Sequence, residues 1–135
     1  KLPIAIHSRD AAQDTIQIMR ASRAEEIGGV IHCYSYSKES ARDFLNMGFY
    51  FGIGGVVTFK NAKKLKEAVA YIPLSNIVLE TDAPYLTPEP FRGKRNDSSK
   101  LVYVAQAIAD IKQIPVDEVY AETWKNAHQM YKIQK

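Results

Sequence analysis

Three side chains able to bind a metal each follow a short apolar run. His7 follows Leu2 to Ile6, His32 follows Gly29-Val30-Ile31, and Asp82 lies just past Ile77-Val78-Leu79. Apolar runs of this length, bounded by polar segments, read as buried strands. In α/β barrels the carboxyl ends of the strands form the active-site face, so groups far apart in sequence converge there. Glu80 and Asp82 are two residues apart and are expected on one face, Asp82 at the rim and Glu80 one layer deeper. Two imidazoles with carboxylates suit Zn²⁺, Mn²⁺ or Mg²⁺, in falling order of nitrogen preference. Such a cluster lowers the pKa of bound water and can clamp the oxygens of a phosphodiester. A single histidine after an apolar run is more often a hydrogen-bonded structural residue; the recurrence at three strand ends favours ligands.

Positive charge is concentrated just after Asp82. Phe91-Arg92-Gly93-Lys94-Arg95-Asn96 carries three cations in four residues, placed to reach over the strand mouth and grip phosphate oxygens. A solvated charged loop is the plainer alternative. Arg9 and Lys60 also lie just beyond strand ends, and Tyr85 is a candidate for stacking on a base. Cys33, next to His32, is expected to face the other way as a structural thiol rather than a ligand. His128, in the last helix, is expected at the surface away from the mouths.

The elements that must position these groups alternate. An amphipathic stretch with Ile16, Met19 and Ile27 on its apolar side follows the first strand. A helix from Lys38 to Met47 follows the second, with Gly48 as the residue that stops it. The third strand, Phe49 to Ile53, leads into Gly54-Gly55 and a helix from Asn61 to Tyr71, where Leu65, Ala68, Val69 and Ile72 recur at helical spacing. After the fourth strand a proline-containing loop runs from Tyr85 to Asp97, and two helices follow, about Ser99 to Ile111 and Val116 to Ile133. This alternation implies βαβ units and a parallel, buried sheet. Four strands are too few to close an eight-stranded barrel, and the chain opens inside a strand without an initiator Met. The expectation is one domain over residues 1–135: part of a barrel that upstream strands complete.

Composition sets the outer bounds. Of 135 residues, 46% are hydrophobic and 24% charged, enough apolar side chain for a packed core. No apolar run reaches the roughly 18 residues of a membrane span. One cysteine cannot form an internal disulfide, which fits a reducing, cytoplasmic setting. A net charge of +3 permits an anionic partner without demanding one.

Taken together, His7-Ser8-Arg9-Asp10-Ala11, His32-Cys33-Tyr34-Ser35, Gly52-Ile53-Gly54-Gly55, Glu80-Thr81-Asp82-Ala83-Pro84-Tyr85-Leu86 and Arg92-Gly93-Lys94-Arg95-Asn96 stand in the order and spacing of TatD-type nucleases. Thr123 with Asn126-Ala127 resembles the family's terminal helix motif. The resemblance spans essentially the whole chain and implies the C-terminal half of a TIM barrel of the metal-dependent hydrolase type. It implies a divalent-metal deoxyribonuclease acting from the 3′ end of single-stranded DNA, with His7, His32 and Asp82 as metal ligands. Asp82 would also accept the proton of the attacking water, and Arg92 would hold substrate phosphate; Arg9, by its place just beyond a strand end, is a second candidate phosphate contact. The family's remaining ligands, a His-x-His pair and a Glu, lie upstream of His7; this sequence has three histidines and no His-x-His. Tyr36 stands where the family commonly has Gly, a change expected to crowd the site. Asp97-Ser98 replaces the usual Glu-Pro and changes how the basic loop enters its helix. Two alternatives stay open: an amidohydrolase acting on a small molecule, and a non-catalytic nucleic-acid-binding fragment.

Overall fold

Strands β1 (Ile4–Ile6), β2 (Gly29–Ile31), β3 (Tyr50–Ile53) and β4 (Ile77–Leu79) lie side by side in chain order, every neighbouring pair parallel. The computed structural model describes residues 2–133. The register pairs Ile6 with Ile31, Ile31 with Phe51, and Ile53 with Leu79, so the carboxyl ends of all four strands reach one edge. Parallel neighbours need crossovers, and these are α1 (Ala12–Ala21), α2 (Lys38–Asn46) and α3 (Lys63–Tyr71). Two further helices follow β4: α4 (Leu101–Lys112) and α5 (Val116–Tyr131).

Alternation along the strands sorts the side chains into two sets. Ile4, Ile6, Ile31, Phe51, Ile53, Ile77 and Leu79 join one core with the apolar faces of α1 to α4, around fully buried Phe44, Phe49 and Ile108. Tyr34 packs edge-on against Phe51, with ring centroids 4.9 Å apart. The opposite face carries Ala5, Val30, Tyr50, Gly52 and Val78. Here α5 takes over: its Met130 and Ala127 pack with Val30, Tyr50 and Val78 in a second, smaller cluster. Buried Asn126 fastens α5 in place, its amide donating to the carbonyls of Leu74 and Ile77, both at 2.8 Å.

Element ends depart from the sequence reading where local chemistry intervenes. Helix α1 stops at Ala21, Arg23 adopts a left-handed φ of 55°, and Ile27 is 39% exposed rather than on the helix's apolar side. Strand β1 begins after Pro3, which has no N–H for a ladder. Gly48 donates its N–H to Leu45 at φ 74°, the left-handed turn that terminates α2. Asp97 accepts from the Ser99 N–H at 2.9 Å, capping a short 3₁₀ turn (Ser98–Lys100) that leads into α4. No described helix is long and apolar enough to cross a membrane.

Candidate active site

His32 follows β2 and lies between two carboxylates that follow β4. Its Nδ1 is 3.0 Å from both oxygens of Glu80, with hydrogen-bond geometry to Oε2 only, and its Nε2 is 3.3 Å from Asp82 Oδ1. The Glu80 side chain is 16% exposed and that of Asp82 37%, so Glu80 is the deeper of the two. A carboxylate only accepts, so a neutral His32 spends its single N–H on the shorter Glu80 contact. That leaves the Nε2 lone pair facing the Asp82 carboxylate, an arrangement that a cation or a proton between them would relieve. His7, past the end of β1, faces the same cleft with its ring centroid 6.3 Å from that of His32.

Glycine makes room for this arrangement. A Cβ at Gly52 on β3 would collide with Glu80 Oε2, so the carboxylate occupies the volume a side chain would fill. Beyond β4 the chain turns sharply, with Asp82 at φ 53° and Leu86 at φ 53°. The segment from Thr81 to Asn96 is irregular, as its prolines suggested, yet tightly bonded. Buried Asn96 donates from its amide to the Thr81 and Tyr85 carbonyls at 2.8 Å each, and its own N–H bonds the Pro84 carbonyl at 3.0 Å.

The cleft has a volume of about 300 Å³ and is lined by His7, His32 and Asp82 together with Arg9, Cys33 and Leu86, among others. Three sequence expectations need correcting. Cys33 does not face away: past the end of β2, its left-handed φ of 50° turns it into the cleft wall. Burial, then Glu80 and Asp82, push its thiol up to about 12, so it stays protonated and is a poor ligand. Tyr36 does not crowd the cleft. Its hydroxyl bonds Ser8 Oγ at 2.7 Å and accepts from the Ala11 N–H at 3.2 Å, fixing the loop that presents His7 and Arg9. Arg92 lies outside the cleft lining, its guanidinium 3.9 Å above the Phe59 ring in a neighbouring depression.

Lys60 is exposed and does not line the cleft. His128 lies on α5 away from it, stacked on Trp124 with ring centroids 3.7 Å apart. Glu80 gains weight: its Oε1 is buried without a hydrogen-bond partner. The sequence signal for it was its two-residue offset from Asp82, together with a glycine on the neighbouring strand β3.

The donor types fit a divalent cation: two imidazoles and two carboxylates, one of which has an orphaned buried oxygen. Among the described residues no three His, Cys, Asp or Glu side chains are grouped closely enough to hold a metal ion as they stand; His32 engages the carboxylates directly.

The family model for TatD-related DNases matches residues 1–132. The chain is 48% identical over 132 residues to an uncharacterized metal-dependent hydrolase of Bacillus subtilis, YabD, covering 98% of this chain and 52% of that protein. It is 40% identical over 131 residues to a like-named hydrolase of Escherichia coli, YcfH, covering 97% and 49%. The chain thus spans about half the length of these relatives. The crystal structure of the E. coli TatD homolog YjjV superposes with a TM-score of 0.90 at 26% identity, covering 98% of this chain and 51% of that one. A TatD-family hydrolase from Entamoeba histolytica shares the fold, with a TM-score of 0.85 at 22% identity over 96% and 50%.

Proposed function

The chain belongs to the TatD-related DNase family, and on that premise we propose that it is part of the catalytic domain of a metal-dependent hydrolase cleaving DNA phosphodiester bonds. The mode we assign is 3′–5′ exonucleolytic digestion of single strands. The observation that carries the reading is His32 held between Glu80 and Asp82 at the strand mouth, with Arg9 on the same cleft wall.

His7, His32 and Asp82 would hold the cation. A divalent ion there supplies Lewis acidity toward phosphodiester oxygens and acidifies water. Glu80 holds the His32 ring through Nδ1, so that Nε2 faces the cleft. Asp82 accepts the proton of the attacking water as the new P–O bond forms and the bond to the leaving oxygen breaks. Arg9 at the cleft and Arg92 beside it offset the charge that builds on the phosphate oxygens. Cys33 remains a neutral thiol and takes no part in nucleophilic attack.

The test is release of labelled nucleotide from 3′-labelled single-stranded DNA by the protein with added Mn²⁺. Asp82→Asn is expected to lower kcat by about 10²- to 10⁴-fold while circular dichroism stays that of the parent. Normal turnover by this variant removes Asp82 from the proton-accepting role. Hydrolysis of a small amide in preference to DNA turns the reading to the amidohydrolase alternative. DNA binding unaffected by chelator, without any cleavage, turns it to the non-catalytic one.

A further inference from the structure

Leu86 stands between two depressions. On one side is the cleft of His7, His32 and Asp82. On the other a hollow of about 560 Å³ opens between Phe59 and the segment from Pro84 to Arg95. No carboxylate lines this second hollow; its ionisable groups are Tyr85, Arg92, Lys94 and Arg95. Tyr85 is 71% exposed, and Arg92 already lies over the Phe59 ring, 3.9 Å from its centroid.

A solvated charged loop has no need of a fixed backbone, and this one is fixed throughout. Asn96 bonds the Tyr85 carbonyl, the Thr87 hydroxyl donates to the Lys94 carbonyl, and the Tyr85 N–H donates to the Asp82 backbone carbonyl at 2.9 Å. The Leu86 carbonyl lies where any side chain at Gly55 would collide with it. Leu86 is held at φ 53°, a conformation that branched side chains rarely adopt and that tends to mark functional positions. Phe59 is buried under Arg92, so Tyr85 offers the one exposed aromatic face among the residues lining the hollow; cations beside such a face suit single-stranded nucleic acid, because phosphates meet the cations and a base stacks on the ring.

We propose that this hollow is a second nucleotide subsite. The base next to the scissile bond stacks on Tyr85, the following phosphates lie against Lys94 and Arg95, and Leu86 is the wedge that parts this nucleotide from the one in the metal cleft. The identity of the occupant as DNA rests on the nuclease reading above. The site itself rests on the hollow, its charge and its pinned loop.

Two substrates separate the subsites: a nucleoside p-nitrophenyl phosphodiester, small enough for the cleft alone, and single-stranded hexathymidylate, which must extend beyond it. Tyr85→Ala, and separately the double variant Lys94→Ala with Arg95→Ala, are expected to lower selectivity for hexathymidylate over the ester by about tenfold. Binding of fluorescein-labelled hexathymidylate in EDTA provides a readout independent of catalysis. There the double variant should bind more weakly, with the slope of log Kd against log salt reduced by about 1.4 for two lost phosphate contacts. Unchanged selectivity with unchanged binding overturns the subsite, as does equal loss on both substrates. If the parent binds hexathymidylate through these residues yet cleaves neither substrate, the nuclease reading fails and the subsite stands.

Discussion

Glu80 touches His32 only because residue 52, on the neighbouring strand β3, has no side chain. Gly52→Ala therefore forces the carboxylate away. Its terminal oxygens can swing aside more cheaply than backbone can move, so the change should cost only about 1–3 kcal/mol of stability, as overpacking does. Metal affinity should suffer more, by about 10- to 100-fold, the usual effect of losing the partner that orients a ligating histidine. Titration with Mn²⁺, alongside urea unfolding, checks the pair; unchanged affinity would mean that Glu80 does not orient His32. At this scale the sequence was legible in the convergence of strand ends: His7, His32 and Asp82 line one cleft, and Glu80 bonds His32 beside it. It was not legible in the orientation of residues past the strand ends, as at Cys33, where a left-handed φ turns the side chain into the cleft wall. Nor did it show contacts made across loops, such as Tyr36 on Ser8 or Arg92 on Phe59.

Among the elements, α5 is the one whose place the sequence did not predict. Helical periodicity marked Val116 to Ile133 as a helix and the structure gives Val116–Tyr131, but nothing local says which surface it covers. Of its buried positions, Val119 joins the main core, Asn126 holds the turn before β4, and Met130 covers the sheet face opposite that core. Asn126 is the fastening, since its amide donates to the Leu74 and Ile77 carbonyls, the first of which also accepts the Ile77 N–H. Asn126→Ala removes both bonds; the Leu74 carbonyl keeps the Ile77 N–H, so the loss falls on the Ile77 carbonyl and should cost about 1–3 kcal/mol for that buried group. Urea unfolding measures the loss, and hydrogen exchange should show it first in α5 and β4. An unchanged midpoint would mean that α5 is held by its apolar contacts alone. Strands and crossover helices, in contrast, were legible to within a few residues, because their periodicity is local. Their ends moved where a backbone device acted, as at Arg23 and Pro3.

For the molecule as a whole, a bound cation would tie the ends of β1, β2 and β4 together through His7, His32 and Asp82. A ligand that binds only the folded state stabilises it by about 2.7 kcal/mol at one hundred times its Kd. Mn²⁺ should therefore raise the Tm of the parent and leave that of His32→Ala nearly unmoved; an equal rise in both would place the binding elsewhere. The packing of α5 has another consequence, one of timing. Val30 is covered by Met130, one hundred residues later in the sequence. At ribosomal rates of about 5–20 residues per second, Val30 waits about 5 to 20 s for its partner to be made. During that interval the nascent strands lack the helix that covers this face, and a chaperone that shelters apolar β-surface would find its substrate there.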